Sequence, residues 1–171
     1  PVTKVIQDYA KKEKSDLIVM GTLGASGIKK VMLGSHASAV IGCVKIPVLA
    51  IPPATKFNGI RHILYATDMS HLDTEIRSVA EFARRFNAFV TVVHVSEKVD
   101  QKRNTHELSR ILTRFAKYPN VSFTTVQSND VKRVLRNLVE TIRPDILAMF
   151  THELAFIEKA LGKSVTRDMI F

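Results

Sequence analysis

The sequence predicts an α/β protein built on a doubly wound parallel sheet, together with a partial copy of the same fold. Three observations carry that expectation. Short apolar runs bounded by glycine or proline alternate with stretches whose apolar residues recur every three or four positions, the pattern of parallel βαβ units. The run "LIVMG" is continuously apolar rather than alternating, as a strand buried on both faces requires. The chain also repeats itself at an offset of 129 residues, matching Val2 with Val131, Val5 with Val134, Asp16 with Asp145 and Met20 with Met149.

Taken in order, Val2, Val5, Ile6, Tyr9 and Ala10 recur at helical spacing, and "LIVMG" at 17–21 reads as a buried strand. A glycine-rich stretch follows, then a helical pattern from Ser35 and "IPVLAIPP" at 46–53, a strand closed by prolines. "ATKFNG" (54–59) reads as a linker. "HILYATD" is the next strand, and Leu72, Ile76, Val79, Ala83 and Phe86 form one face of an amphipathic helix. "FVTVVHV", a helix marked by Leu108, Ile111, Leu112 and Phe115, and "VSFTTV" come next. A helix marked by Val131, Val134, Leu135, Leu138 and Ile142, the strand "DILAMF", and a helical pattern from Ala155 complete the chain. The repeat continues through Thr22/Thr151, Ile28/Ile157, Lys30/Lys159 and Ser35/Ser164. Residues 1–53 therefore read as the C-terminal remnant of one domain, and 60–171 as a second domain lacking its last strand. The start of the chain, without an initiator Met or signal pattern, reads as entered partway through.

The bulk properties exclude several classes. Hydrophobic residues at 46% and charged residues at 24% are globular composition. Apolar runs are far too short for a membrane span of ~20 residues. A net charge of +9 invites nucleic acid, but the basic residues are dispersed over polar helix faces without interleaved aromatics, so no specific nucleic-acid surface is expected. The single cysteine, Cys43, excludes an intrachain disulfide and points to a reducing cytoplasm, with Cys43 itself read as a small buried apolar residue. The six histidines show no metal-ligand spacing; His62 and His94, in or beside strands, are expected to pack or hydrogen-bond. Ser70, His71 and Asp73 hold triad residue types, but neighbours at a helix start cap before they catalyse. No catalytic residue and no metal site is expected.

The chemistry concentrates in "GTLGASGIKKVMLGS" (21–35), which holds four of the seven glycines. Open α/β sheets bind ligands at the carboxyl edge of their strands, where strand order reverses. Gly21 and Gly24 let the backbone turn there and approach a ligand without a Cβ between. Gly34 and Ser35 lead into a helix whose free N–H groups and dipole favour phosphate oxygens, with Lys29 and Lys30 nearby. The alternative is structural: glycines that shape a turn, and a serine that caps its own helix. The pattern is neither a Walker loop nor a dinucleotide-binding turn.

Residues 14–52 resemble the C-terminal half of a universal stress protein domain, whose signature is Gly-x-x-Gly, nine residues, Gly-Ser/Thr. Residues 60–171 resemble a second such domain, with "HILYATDMS" and "VTVVHVSE" as its first two strands. The resemblance implies a flavodoxin-like (HUP, adenine nucleotide alpha hydrolase-like) sheet of strand order 3-2-1-4-5, paired domains, and, in one subgroup, ATP bound without a catalytic apparatus. Carried over by position, it assigns nucleotide binding to Gly21, Gly24, Gly34 and Ser35, the backbone N–H of His36, the acid Asp68, and Val95 in the adenine pocket. ATP, with Mg beside it, is the implied cofactor, and a homo-oligomer or domain pair through sheet edges the implied assembly. The second copy departs: Phe150, Glu153 and Lys163 stand opposite Gly21, Gly24 and Gly34, so its loop is expected not to bind. The runner-up is a regulatory scaffold without nucleotide.

Overall fold

The computed structural model describes residues 2–22, 35–53, 55–97, 112–114 and 116–150. They fall into two compact units, one within Pro1–Phe57 and one of Asn58–Phe150.

The first unit runs α1 (Val2–Lys12), β1 (Ile18–Gly21), α2 (Ser35–Cys43) and β2 (Val48–Ile51). Helix α1 carries Lys11 and Lys12 in its last turn, where cations complement the dipole. It stops because Lys14 adopts φ 50°, letting the Lys14 N–H reach Lys11 O at 3.3 Å and the Ser15 N–H reach Ala10 O at 2.9 Å. That paired closure satisfies carbonyls the helix would leave open. β1 and β2 pair in parallel from Ile18 opposite Val48 to Gly21 opposite Ile51. Gln7 Nε2 ties α1 to the end of α2 by donating to Cys43 O at 2.9 Å. Ala10, Ala37 and Val40 are buried here.

One expectation needs correction in this unit, and one apolar stripe stays uncovered. The apolar stripe of α1 is not a core face throughout: Val2, Val5 and Tyr9 are 56%, 68% and 63% exposed. Among the described residues, a pair of short strands with one neighbouring helix offers too little surface to cover it. Cys43 is exposed rather than buried.

The second unit runs β3 (His62–Thr67), α3 (Leu72–Arg84), β4 (Phe89–Ser96), β5 (Val121–Gln127), α4 (Val131–Ile142) and β6 (Ile146–Met149), with residues 112–114 helical between β4 and β5. Gly59, ahead of β3, takes φ 90°, a conformation that favours glycine. The four strands are all parallel in the order β5-β4-β3-β6. Counted within the unit that is third, second, first, fourth, the order of a flavodoxin-like sheet. β3, flanked on both sides, is buried over five of its six residues, as a central parallel strand should be. Ile63, Tyr65, Val90, Val92, Val121 and Phe123 share one core with Ile76, Val79, Ala80 and Ala83 of α3. Leu64, Ala66 and Val93, alternating with these along the strands, are buried too. Strand order reverses at β3: two connections lead away through β4 to β5, and the third crosses back to β6. Right-handed crossovers then place α3 and α4 on opposite faces of the sheet. The helical pattern from Ala155 lies outside the described residues.

Candidate functional site

In the first unit the candidate site is the carboxyl end of β1. Gly21 is its last residue, and a Cβ built there meets nothing within 4 Å. Gly21 is not at a left-handed φ either. Among the described residues, neither local crowding nor backbone conformation requires a glycine there. Thr22 follows, its N–H donating to Ile51 O at 3.0 Å and extending the ladder by one residue. Its side chain is buried, and Oγ1 has no hydrogen-bond partner among the described residues. α2 runs back toward the amino end of β2, so its N-terminus at Ser35 lies at the carboxyl edge of this strand pair, where its first N–H groups are unpaired by the helix. His36 sits in the first turn of α2 with an exposed side chain. Gly24 and Gly34 lie outside the described residues, as do Lys29 and Lys30.

In the second unit the corresponding edge follows β3. Thr67 is buried, and its hydroxyl accepts the Met69 N–H at 3.0 Å. Met69 takes φ 73°, and Asp68 Oδ1 accepts the Ser70 N–H at 2.8 Å. Asp68 thus shapes the turn into α3 with one of its oxygens. The register that pairs Thr67 with His94 carries Asp68 and Val95, next along each strand, to adjacent positions at the carboxyl edge; both are half-buried. The His94 Nδ1–H donates to Thr67 O at 3.0 Å, since a carbonyl oxygen only accepts, and this cross-links the two strand ends. His62 Nε2 meets Thr91 Oγ1 at 2.8 Å, and its ring lies edge-on to Phe89. Both strand histidines are occupied as packing and hydrogen-bonding residues.

Directly after β6, at the reversal point, stands Phe150, the repeat counterpart of Gly21. Its ring packs edge-to-face against Tyr65, centroids 5.8 Å apart. Tyr65 is fully buried and donates its hydroxyl to Glu75, itself 3% exposed. Burial first, and the Glu75 carboxylate second, push the Tyr65 phenol far above its usual range. An aromatic core residue therefore stands where the first unit has a bare backbone. Glu153 and Lys163 lie outside the described residues.

Sequence reasoning singled out neither Thr22 nor the Tyr65–Glu75 pair. Thr22 did leave a signal, since the repeat keeps Thr22 against Thr151. Asp145, paired with Asp16 in the repeat, accepts the Arg61 and His62 N–H groups on Oδ2 at 2.7 and 2.9 Å, clamping the start of β6 to the start of β3. Among the described residues no group of three His, Cys, Asp or Glu side chains is placed to hold a metal ion, and no helix is long and apolar enough to cross a membrane.

Residues 1–52 match the family model described as Universal stress protein family. A universal stress protein of Methanocaldococcus jannaschii is 41% identical over 56 residues, 33% of this chain and 32% of that protein. The crystal structure of a universal stress protein from Archaeoglobus fulgidus superposes with a TM-score of 0.64 at 20% identity, covering 95% of this chain and 62% of that one. A universal stress protein crystallised in complex with cAMP has a TM-score of 0.47 at 15% identity over 63% of this chain and 88% of its own. The chain thus spans less than two thirds of both the curated relative and the Archaeoglobus structure.

Proposed function

We propose that this chain, whose residues 1–52 match the universal stress protein family model, is a stress-response regulator that binds ATP or a related nucleotide. The contacts come from Gly21, Gly24, Gly34, Ser35 and the His36 N–H of the first unit. Gly21 is the observation that carries this reading: a glycine at a strand's carboxyl end with open space where a Cβ would sit. The start of α2 supports it by supplying N–H groups and the positive end of a dipole to phosphate oxygens. Mg would accompany the triphosphate and spread its charge. In this reading the nucleotide is held rather than turned over, since the sequence offers no residue with a clear general-base role. Asp68 and Val95 of the second unit, adjacent at their own sheet edge, would meet the nucleoside of a ligand there. The place of action is the cytoplasm, and copies of the chain associate through the outer edges of β1 and β2, each hydrogen-bonded on one side only among the described residues.

A regulatory scaffold is the second reading, favoured by Phe150 packing into the second unit's core at the Gly21 position. Isothermal titration with ATP separates the two. Wild type should bind, and Gly21→Phe, which copies the second repeat into open space, should weaken binding at least ~10-fold while the protein stays folded. No heat and no thermal stabilisation from ATP in the wild type would leave the scaffold.

A further inference from the structure

Thr22 is 1% exposed, yet its hydroxyl oxygen finds no hydrogen-bond partner among the described residues. Buried side-chain polar atoms nearly always find one, so each exception calls for a cause. Valine has the same branched shape and would fill the space without a desolvated hydroxyl; packing therefore does not account for threonine. Mobility does not account for it either, because the Thr22 N–H is fixed on Ile51 O at 3.0 Å and a β-branched side chain has few rotamers. The orphan lies one residue beyond Gly21, at the strand end where α2 begins, so an unsatisfied hydroxyl and the positive end of a helix dipole share one edge of the fold.

We infer that the Thr22 hydroxyl is a further ligand contact, donating a hydrogen bond to an oxygen of a phosphate group seated at the carboxyl end of β1. The inference rests on the nucleotide reading for the identity of the ligand, but its chemistry requires only a phosphate. A hydroxyl kept dry and unpaired in the free protein forms a charge-assisted bond when the anion arrives.

The test uses Thr22→Val and Thr22→Ser in the full chain, titrated with ATP and separately with inorganic pyrophosphate, with thermal melts of the free proteins. The expected result is a Thr22→Val Kd about tenfold above wild type and a Thr22→Ser Kd within about threefold of it. The free Thr22→Val protein should melt at or above the wild-type temperature, because it loses an unpaired polar group. Equal ATP affinity in wild type and Thr22→Val overturns the inference and leaves the nucleotide reading standing. Pyrophosphate binding that weakens in Thr22→Val, without ATP binding in the wild type, keeps the inference and removes the nucleotide. If the wild type binds neither, both fall.

Discussion

Asp145 shows how one carboxylate sets a pH dependence. Burial pulls its pKa up, but the Arg61 and His62 N–H groups and the charges of the same two side chains hold it below its ordinary 3.8. A group depressed on folding stabilises above its unfolded pKa and loses that contribution as pH falls through its folded value. His62 shifts in the same direction for a different reason: burial lowers it from 6.5, against the opposing pull of Asp145. Between its folded pKa and 6.5 the unfolded chain binds more protons, so acidification costs stability there too. Urea midpoints should therefore fall in two steps, one starting below about pH 6.5 and one below about pH 4. Asp145→Asn should remove the lower step and cost about 1 kcal/mol at pH 7, a modest figure because the carboxylate is exposed. Parallel curves for variant and wild type below pH 4 would refute the assignment.

Helices α1 and α4 carry the same apolar spacing, yet only α4 lies on a four-stranded sheet. There Leu135 is fully buried and Val131, Val134, Leu138 and Ile142 are half-buried. Periodicity locates an apolar stripe but is blind to how much sheet stands beneath it. The ends of α4 are decided locally. Asp130 caps the start, its Oδ1 accepting the Arg133 N–H at 2.9 Å, and Arg143 ends it at φ 51° before Pro144. Asp130→Ala should destabilise the protein by about 1 kcal/mol. Arg143→Gly should stabilise it by roughly 0.5–1 kcal/mol, because glycine takes the left-handed C-terminal position without strain. Chemical denaturation checks both, and shifts of the same sign would contradict the cap geometry.

The whole molecule combines a net charge of +9 with an exposed apolar stripe. Val2, Val5 and Tyr9 on α1 are joined by Val19 of β1, 61% exposed, and the two-stranded sheet has unpaired edges among the described residues. Hydrophobic attraction favours self-association and the positive charge opposes it. Raising salt shortens the Debye length from about 8 Å at 0.15 M to about 3 Å at 1 M and so removes the opposition. Sedimentation equilibrium should show a mass above 19.1 kDa that grows with salt and falls toward the monomer in Val5→Lys. A monomer at every salt concentration would refute the proposed association.

Sequence alone determined the order of the described strands and helices, the parallel α/β class and the internal repeat. These features rest on local periodicity, glycine and proline placement and chain order, which survive without three-dimensional context. Asp68 and Val95 were legible as candidates only through family resemblance, and tertiary structure alone made them neighbours by registering β3 against β4. Folding likewise decided that Asp68 closes a turn, that Phe150 packs on Tyr65, that Val5 stays exposed, and that the Thr22 hydroxyl is buried without a hydrogen-bond partner among the described residues. Burial and hydrogen-bond partnership depend on atoms distant in the chain, and no window of sequence contains them.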